Sequence, residues 1–232
     1  MPDFDFQKGE LILIDKPYRW TSFDVVRTIK AQAKKISGIK RIKVGHAGTL
    51  DPLATGLLLI CTGKKTKEIE SFQAMEKEYT GTFYLGATTP CFDLEKEIDQ
   101  RFDITGISNE QILNVRNQFL GEIEQTPPIY SAVKIEGKRA YDYARNDEEV
   151  KIEPKKVSIF NFDVTRIELP EIDFVIQCSK GTYIRSIARD FGRALNNGAH
   201  LISLRRTKIG HYNVENALSP ATFKSLCNAD GY

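Results

Sequence analysis

The run from Gly45 to Gly56, GHAGTLDPLATG, constrains this chain more than any other stretch. One carboxylate, Asp51, sits among three glycines, a proline, a histidine and small hydroxyl residues, and the run passes straight into the apolar LLLIC of Leu57 to Cys61. Gly45, Gly48 and Gly56 tolerate backbone angles that other residues avoid, and Pro52 fixes one more dihedral, so the sequence predicts a tight loop feeding a buried strand. A loop so restricted holds its carboxylate in place. Alone, this implies no chemistry: an Asp-Pro pair ordinarily caps amides in a turn, and a lone histidine such as His46 is ordinarily a packed or solvent-facing residue.

A chain of 232 residues with 41% hydrophobic content is long enough for a full core, as one large domain or two joined subdomains. The polar, acidic opening MPDFDFQKGE is unlike a secretory signal, and no apolar stretch approaches the length of a membrane span, so a cytoplasmic protein is expected. Cys61, Cys91, Cys178 and Cys227 form no CxxC pair, which argues against a zinc site and gives no disulfide framework. Cys61 and Cys178, in apolar runs, read as buried hydrophobes. A net charge of +2 gives no whole-molecule argument for nucleic acid, but basic residues clump at Lys34, Lys35, Lys40, Arg41 and Lys43, at Lys64, Lys65 and Lys67, and at Arg205, Arg206 and Lys208. Acidic residues gather instead at Asp93 to Asp103 and Asp147 to Glu153. A surface polarised in this way attracts phosphates from one side.

In chain order, Glu10 to Ile14 reads as a short buried strand, and Thr21 or Ser22 caps a helix with Val25, Val26 and Ile29 on one face. Glu68 to Ala74 is a short helix and Tyr79 to Leu85 a strand. Ser108 and Gln111 form a capping box before a helix carrying Ile112, Val115 and Phe119, which Gly121 stops. From Gln125 to Arg145, tyrosines interleave with basic residues, a composition suited to base stacking and phosphate contact, or equally to a surface hairpin packed by its own rings. Strand Ile172 to Cys178 leads into a helix starting near Thr182 or Tyr183, with Ile184, Ile187, Ala188, Phe191 and Leu195 at helical spacing. Arg185 in its first turn opposes the local dipole, so a partner anion is expected, and Asp51 is the nearest suspect. LISLRR then forms a strand, and the residues from Asn213 onward end in a short helix.

Collectively these residues resemble the bacterial tRNA pseudouridine synthases of the TruB type. The matching motifs run in family order: LILIDKP at Leu11 to Pro17, GHAGTLDPLATG, KEYTG at Lys77 to Gly81, YSAVKIEGKRAYDYAR at Tyr130 to Arg145, CSKGTYIRSIARD at Cys178 to Asp190 and HLISLRR at His200 to Arg206. The resemblance implies that Asp51 is the catalytic aspartate through which uracil is detached from C1′ and rejoined through C5. It implies that Arg185 pairs with that carboxylate and that Tyr79 stacks on the target base and stands near the C5 proton. Tyr183 and Leu204 match pocket-lining positions, Lys16 with Pro17 supports the site, and His46 contacts the rearranged RNA loop. The segment 125–145 matches an RNA-clasping insertion, with Lys134, Arg139 and Tyr141 as its RNA contacts.

The implied fold is α+β, a large, mainly antiparallel mixed sheet in two halves with flanking helices and a central cleft. The implied partner is the T arm and loop of tRNA, handled by a monomer without metal or cofactor. Residues 1–212 would form the catalytic domain and 213–232 a short tail, with no separate RNA-binding domain, so tRNA affinity is expected to be weaker or more salt-sensitive than in longer relatives. In LGATTPCFDLEKE, Thr89 and Asp93 fit the family, whereas Pro90, Cys91 and Lys96 depart from it. Two rival readings are an RNA-folding protein without catalysis and an aspartyl phosphotransferase, the latter wanting magnesium and clustered carboxylates that this loop lacks.

Overall fold

The computed structural model describes residues 4–131, 134–135, 138–139, 143, 150 and 152–228. The described chain divides into two compact units, one formed by 1–79 with 204–232 and the other by 80–203.

In the first unit, β1 (Leu11–Lys16) leads to α1 (Ser22–Ser37), β2 (Val44–His46), β3 (Thr55–Thr62) and α2 (Ile69–Ala74). The capping box of α1 is made by Thr21 and Asp24, and the helix stops where Gly38 turns left-handed at φ 67°. The opening motif folds back on itself, because β2 pairs antiparallel with the strand its own second half begins: Gly45 lies opposite Cys61 and His46 opposite Ile60. β1 pairs antiparallel with β3 from Leu11 opposite Cys61 to Lys16 opposite Gly56. This register carries the strand two residues past the expected Ile14 and brings Lys16 to the foot of the loop.

LLLIC is continuously apolar because both faces of β3 are covered. Leu58 and Ile60 pack with Ile12, Ile14 and the α1 residues Val25, Val26, Ile29 and Ala33. Leu57, Leu59 and Cys61 pack on the other face with Ala47, Phe72 and Ile209.

The chain leaves this unit within β4 (Lys77–Leu85) and re-enters it within β12 (Ala199–Ile209). Between them come β5 (Ala87–Thr88), β6 (Gln100–Arg101), α3 (Asn109–Asn117), β7 (Gly121–Gln125), β8 (Lys134–Ile135), β9 (Lys138–Arg139), β10 (Lys155–Glu168), β11 (Glu171–Cys178) and α4 (Ile184–Ala194). Ser108 and Gln111 form the expected capping box, but α3 ends at Asn117, leaving Phe119 buried beyond it. Phe83, Phe162, Phe174 and Phe191 gather rings from β4, β10, β11 and α4, with Phe83 and Phe174 only 4.3 Å apart between centroids. After β12, β13 (Tyr212–Asn213) and a terminal helix, α5 (Pro220–Asn228), complete the described chain.

The main sheet runs β1-β3-β12-β4-β11-β10-β7, with β2 on β3 and β13 on β12. β12 is parallel to β3, whereas β1 with β3, β10 with β11 and β10 with β7 are antiparallel, so the α+β class with a mainly antiparallel mixed sheet holds.

Candidate active site

In the first unit the site is built around the loop between β2 and β3. Three side chains from outside hold its backbone. Ser22, buried at the start of α1, accepts from Leu50 N at 2.9 Å and donates to Leu50 O at 3.1 Å. Arg206, on β12 and 1% exposed, donates to Leu57 O at 2.8 Å and Gly48 O at 3.1 Å. Lys16, with no exposed surface, donates to the carbonyls of Pro17 at 3.1 Å, Trp20 at 2.5 Å and Pro52 at 3.2 Å. An ammonium has three donors, and these three acceptors suit its charged form. Asp51 is thus flanked by fixed residues, Leu50 on one side and Pro52 on the other.

Glycine is required where the loop meets β12. At Gly56, φ is +102° and an added Cβ would lie 2.2 Å from the carbonyl oxygen of Arg206. Gly48, at φ +97°, has room for a methyl but not the preferred backbone angle for one.

Burial pushes the Lys16 ammonium down to about 8, opposed by the Asp51 carboxylate, which favours the charged lysine and so stands within electrostatic reach of it. Burial, then the Arg206 guanidinium, lower the pKa of His46 against an opposing pull from the Gly48 backbone, and among the described residues its buried Nδ1 meets no hydrogen-bond partner. Both lowering effects favour the neutral imidazole beside the loop. Tyr79, on β4, is 9% exposed, and Leu204 is half-buried on β12. Next to it, Arg205 clasps Asp15 with two bonds of 3.0 and 2.7 Å.

In the second unit the start of α4 is fixed by Gln125, whose buried amide accepts from Tyr183 N at 2.8 Å and donates to Tyr183 O at 3.1 Å. Tyr183 is the residue that caps the helix and not a member of its first turn, whereas Arg185 lies within that turn. Ser186 adds a bond to Thr126 O at 2.8 Å. Arg185, 5% exposed, donates to Cys91 O at 3.2 Å and Tyr130 O at 2.9 Å, and its Nε lies 3.7 Å from Asp93. The divergent segment after β5 is thus the brace of this arginine, with Thr89 holding Asp93 O at 2.7 Å in turn. Asp51, the expected partner of Arg185, belongs to the first unit and Arg185 to the second. Lys134 and Arg139 face each other in the register of β8 and β9, and Tyr141 lies outside the described residues.

Sequence reasoning named neither Ser22 as a loop brace nor Gln125 or Asp93 as supports. Arg206 stands in the sequence only as one of two adjacent arginines, which strand alternation sends to opposite faces without saying which of them is buried.

Residues 34–184 match the family described as TruB family pseudouridylate synthase (N terminal domain), and residues 185–229 match the tRNA pseudouridylate synthase B C-terminal domain. The chain belongs to the TruB family of pseudouridylate synthases. The resemblance carried by the six ordered motifs therefore holds. The tRNA pseudouridine synthase B of Flavobacterium johnsoniae is 56% identical over 221 residues, covering 95% of this chain and 96% of that relative. The enzyme of the same name from Phocaeicola vulgatus is 52% identical over 219 residues, covering 94% and 93%. Among solved structures, a chain of a Cbf5-Nop10-Gar1 complex superposes with a TM-score of 0.70 at 28% identity, covering 96% of this chain. This chain spans 55% of the length of that one. Among the described residues, no helix is long and apolar enough to cross a membrane.

Proposed function

We infer that this TruB-family enzyme isomerises the T-loop uridine at position 55 of tRNA to pseudouridine, acting as a monomer in the cytoplasm. The observation that carries the site assignment is the clamping of the loop on both sides of Asp51, by Ser22 at Leu50 and by Lys16 at Pro52. Such clamping fixes a nucleophile at a set position, which is where much of the rate of a unimolecular rearrangement is gained.

The reaction breaks the N1–C1′ bond and forms a C5–C1′ bond, while the C5 proton leaves and N1 takes one up. It is redox-neutral and adds no atom, so its balance calls for no cofactor. An aspartate suits it because the carboxylate attacks, or stabilises a cationic sugar carbon, without first losing a proton. Asp51 has this role in our reading, with Arg185 as its cation and Tyr79 stacked on the uracil. Tyr183 and Leu204 line the pocket, and Lys16 holds the loop. A uridine packed in a folded RNA loop hides both C1′ and C5, so it must be extruded at a cost of a few kcal/mol. Stacking on Tyr79, with His46 filling the vacated loop and Lys134, Arg139 and Tyr141 gripping the backbone, offsets that cost.

The test is to incubate the protein with an unmodified tRNA transcript and map every new pseudouridine. The expected result is one product, in the T loop, lost when that uridine is replaced by cytidine. Conversion elsewhere, or none, overturns the substrate assignment.

A further inference from the structure

Residues 18–43 carry eight lysines and arginines against the single acid Asp24, in a chain whose net charge is only +2. The remainder is therefore net acidic, and positive charge is concentrated on α1 and its flanks.

The inner face of α1 is spent on the core, through Val25, Val26, Ile29 and Ala33. Its outer face presents Phe23, Arg27, Lys30 and Lys34, all exposed, at spacings i, i+4, i+7 and i+11 that stack them in one stripe. The stripe is about 16 Å long at the helical rise. At its head stands an exposed aromatic corner: Phe23 is 69% and Tyr18 50% exposed, and the Arg19 guanidinium lies 5.5 Å from the Tyr18 ring centre. Two large rings left in solvent, one of them beside a cation, form the kind of surface that stacks an unpaired base.

The corner is continuous with the site. Arg19 N donates to Pro52 O at 2.9 Å, and Lys16 ties Trp20 O and Pro52 O together. Arg19 adopts φ 65°, unusual for a residue with a side chain, so the turn that presents Tyr18 and Arg19 is held in a costly conformation directly against the residue after Asp51.

We propose that the outer face of α1, from the Tyr18–Phe23 corner along Arg27, Lys30 and Lys34, is a docking track for the RNA substrate outside the target nucleotide. The corner stacks one unpaired base, and the basic stripe follows the sugar-phosphate backbone leading away from it. The proposal rests on the RNA substrate inferred above and adds a second contact region to it. The occupant is RNA because stacking rings and a cationic row meet the two invariant parts of a nucleotide, its base face and its phosphate.

Direct binding and catalysis are measured separately. Fluorescence anisotropy with labelled unmodified tRNA gives Kd as a function of salt, and pseudouridine formation by the wild type is assayed in parallel. The pair Lys30→Gln with Lys34→Gln should weaken binding roughly tenfold or more near 0.1 M salt and make the slope of log K against log salt shallower by roughly 1.4 to 1.8, the loss of two phosphate contacts. Phe23→Ala should raise Kd roughly tenfold with the slope unchanged, and Phe23→Trp should restore binding. A control pair on β10, Lys155→Gln with Lys156→Gln, removes the same charge elsewhere and should leave the slope near that of the wild type. The docking track is overturned if the α1 pair keeps the wild-type Kd and slope or if the control pair matches it. It is equally overturned if the α1 variants disturb only self-association or adsorption to anionic vesicles. Should the wild type bind tRNA but form no pseudouridine, the proposed function fails while the track is still decided by the slopes.

Discussion

Replacing Lys16 by methionine separates what this buried cation does for stability from what it does for the loop. Its ammonium meets three carbonyls, but Pro52 O also accepts from Arg19 N at 2.9 Å and Pro17 O from Trp20 N at 3.4 Å, so among the described hydrogen bonds only Trp20 O depends on Lys16. Orphaning one carbonyl costs about 1–3 kcal/mol. Against that, holding the charge at a pKa of about 8 instead of 10.5 costs about 3 kcal/mol at neutral pH, and methionine removes this cost. The two nearly cancel, so Lys16→Met should unfold within about 2 kcal/mol of the wild type. The loop is affected differently: it loses its tie at Pro52 and the cation near Asp51. A displacement of that kind should slow single-turnover pseudouridine formation about 10- to 100-fold, or about 1.4–2.8 kcal/mol in the barrier.

The pH profile supplies the second reading. Lys16 is charged below about pH 8, so the wild-type rate should decline above that pH, and the variant should lack this limb. The sign for stability is opposite. Between the folded pKa of about 8 and the unfolded value of 10.5, the unfolded chain holds more protons, so wild-type stability should rise with pH by up to about 3 kcal/mol relative to Lys16→Met. A variant whose rate stays within twofold of the wild type, or which keeps the alkaline limb, refutes the role given to Lys16.

Three further outcomes follow from the geometry. Gly56→Ala forces a Cβ to 2.2 Å from Arg206 O and should yield no folded protein, whereas Gly48→Ala, with its nearest contact at 3.6 Å, should fold with a loss of about 1–2 kcal/mol; equal behaviour in thermal melts would contradict the close approach of β12. Gln125→Leu leaves the Tyr183 amide and carbonyl without the Gln125 amide and should cost about 2–4 kcal/mol, a fall in Tm of roughly 5–15 °C, with a change under 2 °C refuting the clamp. His46, lowered by burial and then by Arg206, should titrate in NMR with a midpoint below the ordinary histidine value of 6.5; a midpoint at or above it would show that the ring is not buried in this way.

Much of the first unit was legible in the sequence because its signals are local. The capping residue Thr21 marks α1, as Ser108 marks α3 in the second unit, and the unbroken LLLIC marks a strand covered on both faces. β10, the longest strand, went unassigned although it carries Val157, Ile159 and Phe162 into the core. Its register shifts between Ile159 and Asn161 and between Val164 and Arg166, so the alternation that identifies a strand is interrupted twice. Arg205 and Arg206 are adjacent and chemically identical, yet one clasps Asp15 at the surface and the other is buried against Gly48. Which arginine points inward depends on the register of β12 against β3, a long-range fact that no local pattern records. The departures Pro90 and Cys91 obscured the brace of Arg185 for a related reason. Cys91 acts there through its backbone carbonyl, which any residue possesses.

If Asp51, fixed by its clamped loop, is the group through which uridine is isomerised, its removal must abolish loss of the C5 hydrogen. Tritium release from tRNA labelled at uridine C5 measures that loss, comparing the wild type with Asp51→Asn and Arg185→Lys under single-turnover conditions. Release should be stoichiometric for the wild type, no higher than background for Asp51→Asn, and at least tenfold slower for Arg185→Lys, which keeps the charge but loses the planar fork. Release by Asp51→Asn at the wild-type rate would contradict that role for Asp51.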